Sequence, residues 1–117
     1  MIKVSILYPN PENCRFDFDY FCKSHLPMVK DRLGNACQGI AVDKGIAGES
    51  GSPAPFVAAV HLFFESAEAF QRAFDPNAKE IVADAPNYTN VQPDLMFSQV
   101  LVNATRSHTG ELHVHKA

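Results

Sequence analysis

Phe16-Asp17-Phe18-Asp19-Tyr20-Phe21-Cys22-Lys23-Ser24-His25-Leu26-Pro27 is the segment on which the fold turns. Phe18, Phe21, Cys22, His25, Leu26 and Val29 recur at spacings of three and four, so they share one face of a 3.6-period helix. Asp17 is placed to cap that helix, with Phe16 before it as an apolar staple, and Gly34-Asn35 stops it after Leu33. Pro27 lacks an N–H and crowds the preceding turn, which predicts a kink near Ser24 to Leu26. Cys22 on the apolar face reads as a small hydrophobe. The imidazole on the same face leaves two readings for His25: a core histidine satisfied by a neighbour, or the working group of a pocket.

Outward from this helix, the chain alternates strand and helix signals. Ile2, Val4, Ile6 and Tyr8 alternate with Lys3, Ser5 and Leu7, a first strand stopped by Pro9-Asn10-Pro11. Residues 36–47 read as a weaker strand, and 48–55 as a loop rich in Gly, Ser and Pro. Phe56 to Phe64 is the strongest strand and is apolar on both faces, so both faces need cover. Ser66 caps a second helix from Ala67, with Phe70, Ala73 and Phe74 on its buried side; Pro76 interrupts, and Ala78 to Ala85 continues as a turn or two. Leu95 to Val102 is the last strand, followed by a polar tail without pattern.

The order strand, helix, strand, strand, helix, strand is the split β-α-β of the α+β ferredoxin-like fold, with an antiparallel sheet. The expected division is a single domain over 1–102 and a tail over 103–117. Two helices cover one sheet face, and a second copy of the chain, sheet against sheet, is the simplest cover for the other. A homodimer is therefore expected.

Composition narrows the function. The chain has 117 residues, of which 46% are hydrophobic, enough for a core and against disorder. Ten Lys and Arg against thirteen Asp and Glu give a net charge of −3 with no basic run, so no nucleic-acid partner is expected. No apolar run approaches the ~20 residues that span a bilayer, and no leader is visible, so no membrane partner is expected. Three cysteines without C-x-x-C spacing argue against a disulfide framework or zinc site and fit a reducing cytoplasm.

Three segments carry a family resemblance: a strand ending Leu7-Tyr8-Pro9, the run Phe16-Asp17…Tyr20…His25-Leu26-Pro27, and Asp84-Ala85-Pro86-Asn87-Tyr88-Thr89…Pro93 before the last strand. On these the chain resembles the EthD family of dimeric α+β barrel proteins over roughly residues 2 to 102. The resemblance implies the fold, the dimer, and a pocket between helices and sheet near His25. It does not select a reaction, since proteins of similar architecture include isomerases, cofactor-free oxygenases and haem enzymes.

Among individual residues His25 is the candidate catalytic group, because an imidazole with an ordinary pKa near 6.5 can take or give a proton at neutral pH. A second candidate group is His61 with Ser5 and Gln99, polar members of their strands' alternations, which would point into the barrel with Phe63. The alternative is an interior network in which they satisfy one another. Tyr88 and Tyr20 could orient a carbonyl or enol oxygen, and Phe16, Phe18, Phe21 and Phe63 supply apolar walls. Asp17 and Asp19 read as a cap and a solvated turn. His113-x-His115 lacks a third ligand, so no metal is expected, and with no nucleotide motif a site without cofactor is expected. The expected ligand is a small apolar organic molecule. His25 would be the base for isomerisation or cofactor-independent oxygenation, or the chain would be a non-catalytic binding or accessory dimer of a degradative pathway.

Overall fold

The computed structural model describes residues 1–114. Strand β1 (Ile2–Pro9) leads to helix α1, which occupies residues 18–33. Strands β2 (Gly39–Lys44) and β3 (Phe56–Phe64) follow, then helices α2 (Ala67–Phe74) and α3 (Ala78–Ala83), then strand β4 (Asp94–Gln99). The sheet runs β2-β3-β1-β4 and every neighbouring pair is antiparallel. Mixed α+β with helices on one face of an antiparallel sheet is the ferredoxin-like arrangement that the order of elements predicts.

Alternation sorts the strands cleanly. Val4 pairs with Leu62, Ile6 with Val60 and Tyr8 with Ala58, and these residues pack beneath the helices with Phe21, Val29, Leu33, Phe64 and Phe70. Lys3, Ser5 and Leu7 pair with Phe63, His61 and Ala59 on the opposite, open face. Both registers follow from the period of two along a strand.

Helix α1 is not uniform. Asp17 caps it through its side chain to the Tyr20 N–H at 3.0 Å. A short α-helical turn (Phe18–Tyr20) then widens into π-helical turns over Phe21–His25 before the α-helix Leu26–Leu33 resumes. Pro27 lies in the first turn of this last stretch, so the wide turns absorb the missing donor and the ring's bulk. They also change the helical phase. Phe21, His25, Val29 and Leu33 face the core at spacings of four, while Cys22 is exposed. The expectation that Cys22 packs inside assumes an unbroken 3.6-residue period, and the π turns remove that phase. Gly34, at φ 61°, turns the chain away at the end of α1.

Strand β2 is shorter than the expected 36–47, and the C-terminal end departs further from the sequence reading. Strand β4 stops at Gln99 rather than Val102, and residues beyond it form a hairpin of β5 (Ala104–Arg106) and β6 (Leu112–Val114) where a patternless tail is expected. Gly110, at φ 90°, supplies the left-handed position of its turn, with N–H bonds from Gly110 to Ser107 and from Ser107 to Glu111. Strands of three residues are too short for a periodicity to register.

Candidate active site

The segment between α3 and β4 carries the key side chains, and its placement depends on the chain just before α1. The Arg15 guanidinium donates to the Pro86 carbonyl at 2.8 Å, and the Thr89 hydroxyl donates to the Arg15 carbonyl at 2.7 Å. Asp17 N–H donates to the Tyr88 carbonyl at 2.7 Å, and Asn90 bonds back to Arg15 and Asn13. Farther along, Arg32 grips Glu80 with two parallel bonds of 2.8 and 3.0 Å, tying the end of α1 to α3. These ties set Asp84 and Tyr88 against the middle of α1.

His25 is 4% exposed, and its Nδ1 lies 2.8 Å from Asp84 Oδ2. The other carboxylate oxygen, Oδ1, accepts from the Tyr20 hydroxyl at 2.7 Å and from Asn87 Nδ2 at 2.8 Å. Partial burial works to raise the Asp84 pKa, but the bonds from Tyr20, Asn87 and His25 outweigh it and the net shift is downward. Asp84 is therefore a carboxylate at neutral pH and has no proton to give. It follows that His25 Nδ1 carries the hydrogen of the Asp84 bond. In the neutral ring, Nε2 is then an unprotonated acceptor. Among the described residues Nε2 makes no hydrogen bond.

The His25 ring lines a cavity of about 240 Å3 between the helices and the sheet. Its floor is Val4, Ile6, Val60 and Leu62, its roof comes from Phe21, Val29, Phe70 and Ile81, and the exposed residues Val82, Gln92 and Leu95 mark its mouth. Tyr88 stacks obliquely on His25 with ring centroids 4.6 Å apart. The Tyr88 hydroxyl meets that of Tyr8, also in the cavity wall, at 2.9 Å. Burial pushes both phenols above their ordinary pKa, so both stay protonated.

The residues singled out from the sequence divide between two faces. Phe21 and Tyr88 line the cavity with His25, whereas Tyr20 stands behind Asp84 and is not part of the wall. Phe16 packs against Phe21 and Phe18 against Phe16, and neither reaches the cavity. Ser5 and His61 lie on the open face, joined from Ser5 Oγ to His61 Nδ1 at 2.9 Å, with His61 Nε2 3.3 Å from Asp43. Phe63 shares that face, on the other side of the sheet from His25. Gln99 does not join them. It pairs with Ile2, which puts it in the helix-side register at an exposed strand end. Its polar character suggested the open face, but β4 aligns Met96 with Ser5 instead.

The Ser5–His61–Asp43 row has the composition of a nucleophile triad without its surroundings. Ser5 sits mid-strand between β3 and β4, where the ladders occupy the backbone N–H groups that an oxyanion hole would need. Asp84 and Tyr8 were not singled out from the sequence as site residues. Asp84 is 59 positions from His25 and Tyr8 is 80 from Tyr88, so nothing local in the sequence links either pair. Among the described residues no three His, Cys, Asp or Glu side chains gather as a metal site requires. His113 is exposed, and His115 lies outside the described residues.

The fold and site define a ferredoxin-like α+β domain with an apolar pocket walled by a carboxylate-held histidine. Residues 15–92 match the model of the EthD domain, and the chain belongs to the EthD family. It is similar to the crystal structure of an EthD-like protein from Ralstonia eutropha JMP134, at 47% identity and a TM-score of 0.83, covering 86% of this chain and 92% of that one. An ethyl tert-butyl ether D (EthD) family protein from Bacillus halodurans C-125 shares the fold at 20% identity and a TM-score of 0.60, over 86% of this chain and 99% of that one. No curated protein matches the chain.

Proposed function

We propose that this protein binds an apolar organic molecule between helices and sheet and moves a proton on it, with His25 as general base. The observation that carries this reading is the Asp84–His25 bond at the wall of a largely apolar cavity. A packing histidine could be satisfied by any backbone carbonyl. A carboxylate behind Nδ1 fixes the tautomer and stabilises the imidazolium that forms when Nε2 accepts a proton.

The step this supports is enolisation. A C–H bond next to a carbonyl breaks, its proton passes to Nε2, and its electron pair moves onto the carbonyl oxygen. Return of the proton to a different carbon completes an isomerisation. No cofactor enters that sequence.

A homodimer closing the open sheet face belongs to the same reading. Support comes from the half-buried Val57, Ala59 and Phe63 and the half-exposed Met96 on that face, which a second copy would cover. Native mass spectrometry tests it, with a dimer expected and a clean monomer contradicting it. Three free cysteines fit a cytoplasmic location; among the described residues no helix is long and apolar enough to cross a membrane.

The catalytic claim is tested by incubating the protein with 2-acetylnaphthalene in D2O and following deuterium entry into the methyl group by NMR. Exchange above the buffer rate, lost in a folded His25→Ala variant, is the expected result. Exchange that persists unchanged in that variant would remove His25 from the base role.

A further inference from the structure

The proton count of the Tyr8–Tyr88 pair says what kind of ligand the cavity takes. Two phenols hold two hydroxyl protons, and one is consumed in the 2.9 Å bond between them. The second has no other hydrogen-bond partner among the described residues, and both rings line the cavity. The Tyr88 ring of this pair lies beside His25, with ring centroids 4.6 Å apart. The pair thus presents one donor next to one base, the two groups an enolising carbonyl compound requires.

Charge narrows the class further. Among the described residues no Lys, Arg, Asp or Glu lines the cavity. A carboxylate or phosphate buried there would find no Lys or Arg, and the Asp84 carboxylate behind His25 would offset any charge that ring takes up. Size sets the remaining limit. An apolar cavity of about 150 Å3 holds benzene, so one of about 240 Å3 suits one ring with a substituent or two fused rings. Resting on the reading of this cavity as the ligand site, we propose that its substrate is an uncharged aryl carbonyl compound of one or two rings, whose carbonyl oxygen accepts the spare proton of the Tyr8–Tyr88 pair.

Three probes of nearly identical shape test this: 2-acetylnaphthalene, 2-naphthoate and 2-isopropylnaphthalene, titrated by calorimetry at one fixed pH. Wild-type protein is compared with the double variant Tyr8→Phe/Tyr88→Phe. Removing both partners of one bond leaves no orphan, so this variant is expected to fold. The expected result is naphthoate at least about tenfold weaker than the ketone. The double variant should lose about fivefold in ketone affinity with the isopropyl compound unaffected. Naphthoate binding as tightly as the ketone, or a ketone affinity indifferent to the double variant, overturns the proposal. If the isopropyl compound still binds in that case, the cavity stands as an apolar ligand site and only the carbonyl assignment falls. If none of the three binds, the ligand-site reading falls with it.

Discussion

Replacing Asp84 by Asn separates a catalytic histidine from a packed one. The carboxylate accepts three hydrogen bonds, two at Oδ1 from Tyr20 and Asn87 and one at Oδ2 from His25. An asparagine of the same shape has one accepting oxygen and one donating nitrogen. Keeping the Tyr20 and Asn87 bonds places the oxygen at the Oδ1 position and turns the NH2 toward His25. Nδ1 must then accept, the ring proton moves to Nε2, and the nitrogen proposed as the base can no longer take a proton. The same swap behind the histidine of serine hydrolases costs on the order of 10^4-fold in rate. The Asp84 side chain is 19% exposed, so water can relieve part of the mismatch. The expected loss in deuterium exchange is about 10^2- to 10^3-fold, equivalent to roughly 3 to 4 kcal/mol of barrier. Affinity for 2-acetylnaphthalene should change by less than about threefold, because a neutral ring of either tautomer fills the same space. Exchange at the wild-type rate in a folded Asp84→Asn variant would refute the tautomer argument.

Other consequences concern stability and titration. Asp84 and Glu80 are both held below their ordinary pKa, Asp84 by bonds that outweigh its burial and Glu80 first by its bonds to Arg32. The unfolded chain therefore binds more protons in acid, and their contribution is complete above the ordinary carboxylate range and lost as pH falls through the folded values. Acid unfolding followed by circular dichroism should show a shallower loss in Asp84→Asn than in wild type. All three tyrosines are raised above their ordinary pKa, Tyr8 and Tyr88 by burial and Tyr20 first by its bond to Asp84. Their contribution is full below a pKa of about 10 and declines above it, so tyrosinate absorbance should rise together with alkaline unfolding rather than before it. Phe64 is fully buried, and Phe64→Ala should cost about 3 to 5 kcal/mol in urea unfolding. At Gly45 a Cβ would stand 2.1 Å from the Phe56 carbonyl oxygen. Gly45→Ala should therefore lower the melting temperature by several degrees, while an unchanged value would show that the β2–β3 loop shifts freely.

The sequence carries most of this fold because period and punctuation are local. Alternation in β1 and β3 assigns Val4, Val60 and Leu62 to the helix side, and Asp17 and Ser66 mark the two helix starts by their own side-chain bonds. The proline at 27 announces a distortion, but not that it would be a run of wide turns that puts Cys22 outside. The site is less accessible to such reasoning. His25 stands out because an ionisable ring interrupts an apolar stripe. Its partner Asp84 looks like one more carboxylate on a polar segment until the bonds around Arg15 bring that segment across α1. Gln99 shows the same limit from the other side. Its face depends on the register of β4 against β1, which alternation within β4 alone does not determine.

The measurement that bears most directly on the account is the tautomer of His25, read from the ring nitrogens by long-range proton–nitrogen NMR on uniformly labelled protein, with His25→Ala for assignment. The account predicts a protonated Nδ1 and an unprotonated Nε2 in the neutral ring, with the Nε2 resonance moving when 2-acetylnaphthalene is added. A proton on Nε2 in the neutral ring would contradict it, because the proposed base could then only donate.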